Sequence, residues 1–175
     1  MPDLKISKPA AGEHAAYFSK YIDLVPDGDI VGTLWSQIGG TLAMLRGISD
    51  ADSLKRYAPG KWSIREAIGH LNDAERIFAY RALRIARGDQ TPLPGFEQDD
   101  YIAPGKFDTR TWSSLVDEFE IIRAGSLALF RGLDEEAWQR KGTASGNPMS
   151  VRALAYIIAG HERHHVNVLH EKYGV

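Results

Sequence analysis

His161 and His165 stand four residues apart in the stretch from His161 to His170, which holds four of the chain's six histidines. On a helix that spacing puts both imidazoles on one face, where they could grip one ion together. The run His161-Glu162-Arg163-His164-His165 also satisfies the H-E-x-x-H pattern of zinc proteases, whose glutamate is the general base. Those enzymes take a third ligand downstream, and the longer form needs Gly at the position held here by Val168. Ten residues follow His165, with His170 facing away and Glu171 off the face, so the protease reading is set aside.

The element carrying this pair starts at Ser150, after the breaker Gly146-Asn147-Pro148, and its apolar spacing runs to about Tyr173. At about 100° per residue, Leu154, Ile158, His161, His165 and Val168 fall in one stripe. His164 sits at its margin and His170 almost opposite. Two histidines thus occupy core-facing positions, where a buried imidazole needs hydrogen-bond or metal partners or costs a few kcal/mol. Paired histidines without a metal are the competing reading.

A third inward histidine lies upstream. Ser63-Ile64-Arg65-Glu66 fits a capping box after Pro59-Gly60, and Ile64, Ala67, Leu71, Ala74, Phe78 and Leu83 continue a helix to about Ala86, with Gly88 as its stop. His70 shares its face with Ala67, Ala74 and Ile77, about 10 Å beyond the helix start. His161 and His165 lie about 10–18 Å before the end of their own helix. An antiparallel packing of these two helices brings the three imidazoles to similar depth. Glu66 and Asp73, one turn on either side of His70, could orient it; solvated or interhelical charges is the preferred reading for each.

Two further helices complete the set. One runs from about Asp29 to Gly47 through Ile30, Leu34, Ile38, Leu42 and Leu45, with Gly39-Gly40 predicting a bend or a close helix contact. The other runs from Thr111 through Trp112, Leu115, Phe119, Ile122 and Leu129 to about Gly132. Strand signals are poor everywhere, so an all-α four-helix bundle is the economical architecture. The segment 88–110, rich in Pro, Asp and aromatics, is long enough to cross the bundle. It predicts parallel second and third helices and up-down-down-up order; a long surface loop between antiparallel neighbours is the alternative. Trp62, Phe96, Tyr101 and Phe107 are expected to pack the core or anchor loops rather than line a ligand cleft. Asp99-Asp100 is expected to be solvated.

Composition bounds the chemistry. The chain has 175 residues, 43% hydrophobic and 25% charged, with 21 Lys+Arg against 23 Asp+Glu. This predicts one domain over residues 1–175 with a sizeable core. The near balance of charge argues against nucleic acid as a partner. The N-terminus, Met1-Pro2-Asp3-Leu4-Lys5, lacks the core of a signal peptide, and the apolar stretch from Ala153 to Ala159 is far short of a membrane span. A cytoplasmic protein with no membrane partner is expected. Zero cysteines removes disulfides, thiolate ligands and any cysteine nucleophile. Three imidazoles with no committed carboxylate leave an open coordination position, the pattern of a catalytic site, and imidazole suits zinc or nickel. The catalytic residues themselves are not readable.

Three motifs together carry a family resemblance: Pro59-Gly60-Lys61-Trp62-Ser63-Ile64-Arg65-Glu66, Gly69-His70-Leu71-Asn72-Asp73-Ala74-Glu75-Arg76, and Gly160-His161-Glu162-Arg163-His164-His165. From about Tyr17 to Tyr173 the chain resembles the DinB-like (damage-inducible, YfiT-like) superfamily of metal-dependent hydrolase type. The resemblance implies an up-down-down-up four-helix bundle, often dimeric. It also implies a divalent ion, zinc or nickel, held by His70, His161 and His165. Members of the family include hydrolase-type proteins, thiol S-transferases and a thiol-dependent isomerase. The expectation is therefore a metal-dependent hydrolase or thiol S-transferase acting on a small molecule, with a low-molecular-weight thiol as a candidate cosubstrate. The alternative is a non-enzymatic stress-associated binding bundle with a structural metal or none.

Overall fold

Each long helix begins at a side chain that satisfies its first free amides. Asp29 accepts from the Gly32 amide at the head of α2 (Ile30–Arg46), and Ser63 and Glu66 form a reciprocal capping box at the head of α3 (Ile64–Ala86). Thr111 caps α5 (Trp112–Arg131), and Ser150 caps α7 (Val151–Val168). Shorter elements fill the intervals: α1 (Ser19–Ile22), α4 (Gln98–Gly105), α6 (Glu135–Gln139), and strands β1 (Lys141–Ala144) and β2 (Asn147–Ser150). The last turn of α7 widens into a π-helical turn over Leu169–Tyr173. The computed structural model describes residues 6–175. Met1–Lys5, whose composition argued against a signal peptide, lies outside the described residues.

Side-chain bridges fix the helix directions. Asn72 and Arg76 of α3 reach the Leu115 carbonyl and Glu118 of α5, so these helices run in parallel from adjacent starts. Trp112 Nε1, at the start of α5, donates to the Leu45 carbonyl near the end of α2, which makes that pair antiparallel. The Tyr173 hydroxyl, beyond α7, donates to the Trp62 carbonyl just before α3, so α7 runs against α3. The order is up-down-down-up, as the length of the crossover predicts. No helix among the described residues is long and apolar enough to cross a membrane.

Three details depart from the sequence reading. First, β1 and β2 form an antiparallel hairpin joined by Ser145-Gly146, both at positive φ (51° and 72°). A two-residue turn of this kind matches the twist of paired strands; four-residue strands are too short to display alternation, and Gly146-Asn147-Pro148 reads only as a helix breaker. Second, the crossover is structured. It carries α4 and a 3-10 turn at Phe107–Thr109, and Leu93 bonds Thr143 and Ser145 of the hairpin on both backbone groups. Third, Gly39 and Gly40 make no close contact: α2 runs on through both, and a Cβ at either would meet nothing within 4 Å.

The apolar interior is divided in two. One cluster holds Ile30 and Leu34 of α2, the second half of α3, Leu127 and Phe130 of α5, and residues 151–159 of α7. The other holds Leu42 and Leu45, Ile64, Ile68 and Leu71, and Trp112 to Phe119. Between them lies a belt of buried polar groups from all four long helices. Arg123 is fully buried, pairs with both oxygens of Glu75 at 2.8 and 3.0 Å, and pairs with Glu162 at 2.7 Å. Gln37 and Thr41 each donate to Glu162 at 2.5 Å. The candidate site sits at the same level.

Candidate functional site

The antiparallel pairing of α3 and α7 brings His70, His161 and His165 together. His161 Nε2 lies 3.1 Å from Nε2 of His70 and 3.1 Å from Nε2 of His165. One nitrogen from each of the three lies within 4.8 Å of the others. No carboxylate joins them among the described residues. His70 and His161 are buried, and His165 is half-buried.

Neighbouring rings hold the imidazoles in place. Trp62 lies 5.0 Å from His70, and Tyr21 and Phe78 lie 5.1 and 6.0 Å from His161. Both buried histidines are preceded by glycine, for a packing reason. A Cβ on Gly69 would collide with the Phe107 ring, and one on Gly160 would collide with the Tyr21 carbonyl. The glycines thus let the crossover and α1 close directly over the two histidine-bearing helices. Gly160→Ala is expected to lose about 1–3 kcal/mol of stability through this backbone overlap, despite the better helix propensity of alanine. Urea unfolding checks this, and a neutral or stabilising result would contradict the close approach.

Burial also sets the charge of the cluster. It pushes the pKa of His70 down to about 4, and those of His161 and His165 well below the ordinary 6.5, aided by mutual repulsion and by Lys20. All three are therefore neutral near pH 7, with nitrogen lone pairs free to act as donors. The unfolded chain takes up these protons first. Stability of the chelated protein is thus full above the unfolded value of 6.5 and is lost as pH falls toward 4. At pH 5, His70 alone accounts for about 2 kcal/mol of that loss. Unfolding free energies between pH 7.5 and 5 should fall less steeply in His70→Ala; equal slopes would contradict neutral burial.

Other candidates from the sequence fall outside the cluster. Glu66 bonds the Ser63 amide and pairs with Arg56, while Asp73 pairs with Arg76. Glu66 is therefore a capping charge, and Asp73 pairs within its own helix. Glu162, the would-be protease base, points into the bundle toward Arg123, Gln37 and Thr41. His164 stacks edge-on between Tyr21 and His165, His170 is exposed and bonded to the Val175 carbonyl, and His14 contacts the Ala15 carbonyl.

Two cavities flank the imidazoles. One, of about 330 Å³, opens on His70 and His161 and is walled by Tyr17, Tyr21, Phe78, Arg81 and Phe96. The other, of about 380 Å³, opens on His164 and His165 and is walled by Tyr57, Trp62 and Tyr173. Gln98 and Asp99, at the start of α4, border both. Trp62 and Phe96 thus line clefts, while Trp62 also packs against the second core cluster as expected. Phe107 is buried core, and Tyr101 packs on Phe96 at 5.4 Å. Sequence reading passed over Tyr17, Tyr21 and Arg81. For Arg81 a signal existed: eleven residues after His70 is about 20° beyond three full turns, hence the same helix face.

Comparison with known proteins agrees with this arrangement. The DinB superfamily matches residues 37–169. A protein of Oceanobacillus iheyensis, "Putative metal-dependent hydrolase OB0413", is 26% identical over 138 residues, covering 78% of this chain and 77% of its own. Among solved structures, YfiT from Bacillus subtilis superposes with a TM-score of 0.70 at 16% identity, covering 95% of this chain and 93% of its own. It is described as "a probable metal-dependent hydrolase with an unusual four-helix bundle topology". A mycothiol-dependent maleylpyruvate isomerase superposes with a TM-score of 0.66 at 16% identity, over 83% of this chain and 61% of its own. With a bundle of the same topology and a family match spanning most of its length, the chain belongs to the DinB superfamily.

Proposed function

We propose that the chain is a metal-dependent enzyme of hydrolase or thiol S-transferase type, acting on a small molecule, with His70, His161 and His165 holding one divalent ion. The observation that carries this reading is the convergence of three neutral imidazole nitrogens whose hydrogen-bond contacts, among the described residues, are only with one another. Burial keeps the rings neutral, and a neutral His161 Nε2–H could answer only one of its two close neighbours, so the remaining lone pairs face each other unless a cation lies between them. The donor set therefore fits a divalent ion, and an all-nitrogen set suits zinc or nickel. Relatives named as metal-dependent hydrolases support the same class.

The residues around the cluster have distinct tasks. Trp62, Tyr21 and Phe78 hold the rings and keep water from their faces. The Glu162–Arg123 pair fixes the rotation of α7 from behind. The two cavities give a substrate and a cosubstrate separate approaches to His161 and His165. A divalent ion bound there supplies Lewis acidity, which activates water or a thiol near neutral pH or polarises a substrate oxygen. With no cysteine in the chain, any thiol comes from a cosubstrate.

The test compares isolated, chelated and zinc- or nickel-reloaded protein on aryl esters, amides, and the conjugation of a small thiol to an electrophile. Turnover is expected to fall at least tenfold on chelation and return on reloading. Turnover indifferent to chelation would overturn the reading. Full metal occupancy without turnover in any arm would favour a binding bundle.

A further inference from the structure

The cavity that opens on His70 and His161 ends at a buried cation with no counter-ion among the described residues. Arg81 is 3% exposed, and its Nη2 donates to the Pro94 carbonyl at 2.7 Å and to Ser145 Oγ at 3.2 Å. Its Nε and Nη1 donate to nothing, and no carboxylate pairs with it, among the described residues. The other buried guanidiniums are answered. Arg65 meets Asp50 and three carbonyls, and Arg123 meets two carboxylates. Glu97 and Asp99 wall the same cavity but stand exposed on the crossover, beyond ion-pair distance of Arg81. The Phe96 ring centroid lies 5.8 Å from the guanidinium carbon, and both side chains line the cavity.

A guanidinium presents paired N–H donors that match a carboxylate or phosphate bidentately. Burying one without an anion is costly, and an anion arriving from solution would complete it. Arg81 shares the helix face of His70, about 16 Å further along α3. In a helix, an arginine side chain leans back toward the N-terminus, here toward the histidines. A ligand about 10 Å long would therefore reach from the fork to the cluster. A cavity of about 330 Å³ is at the small end for ligand sites, which limits the body to a compact organic molecule.

We propose that Arg81 anchors the anionic group, a carboxylate or phosphate, of a small organic ligand whose other end lies at the three-histidine cluster. The position of that other end rests on the functional reading above; the anchor itself does not.

The experiment separates the two. Chelated protein is titrated with 4-bromobenzoate and with phenyl phosphate, and the tighter probe identifies the anion. Arg81→Gln is expected to weaken the tighter probe at least tenfold, with Arg81→Lys intermediate, while metal content after reloading is unchanged. No binding by the wild type, or equal binding by Arg81→Gln, overturns the proposal. If the variants fail to fold, anomalous scattering from 4-bromobenzoate in wild-type crystals decides, and bromine sited away from Arg81 overturns it. Suberate, a two-ended carboxylate, is then titrated against chelated and zinc-loaded protein. Tighter binding on loading supports the spanning geometry. Arg81-dependent binding with no gain on loading keeps the anchor and contradicts the cluster as the reacting end.

Discussion

Arg123→Met is expected to lower the unfolding free energy by about 3–5 kcal/mol, the range for breaking a buried ion pair from one side. The guanidinium is fully buried and touches Glu75, Glu162 and the Leu34 carbonyl, so its removal strands two buried carboxylates at once. For a chain of this length the loss corresponds to a fall in melting temperature of about 10 °C. The control is the triple variant Arg123→Met/Glu75→Met/Glu162→Met. Removing every charge leaves no orphan, so it should recover most of the loss. Urea unfolding of both variants checks the argument. A single variant within 1 kcal/mol of wild type would mean that the belt is solvated rather than buried.

Chelation is expected to produce a shift of similar size. A ligand that binds only the folded state at a thousandfold excess over its dissociation constant stabilises by about 4 kcal/mol. EDTA should therefore lower the melting temperature of the wild type by roughly 10 °C. His70→Ala/His165→Ala, with one imidazole left, should melt at the same temperature with and without EDTA. An equal shift in the double variant would place the stabilising ion elsewhere.

The parts of the fold legible in the sequence are those governed by local rules. Ser63-Ile64-Arg65-Glu66 announces the start of α3 because both halves of the capping box lie within one turn. The inward direction of His70, His161 and His165 follows from helical periodicity, and their common depth follows from helix length and crossover length. What stayed hidden depends on partners distant in sequence. Arg123 reads as an ordinary helix charge until Glu75 and Glu162 arrive from two other helices. Glu162 fits a protease motif by spacing, yet a residue is rotated by about 100° from its neighbour, which carries it from the histidine face to the α2 and α5 face. Gly160 shows its role only against the carbonyl of Tyr21, which lies far upstream. The β1–β2 hairpin is too short for periodicity, and its turn uses a serine at positive φ, where Asn or Asp would have signalled it.

The metal content of protein purified without chelators or affinity metal, measured by elemental analysis beside His70→Ala/His165→Ala, tests the central claim most directly. About one divalent ion per chain is expected in the wild type and none in a folded double variant. Full retention of the ion by that variant would contradict it.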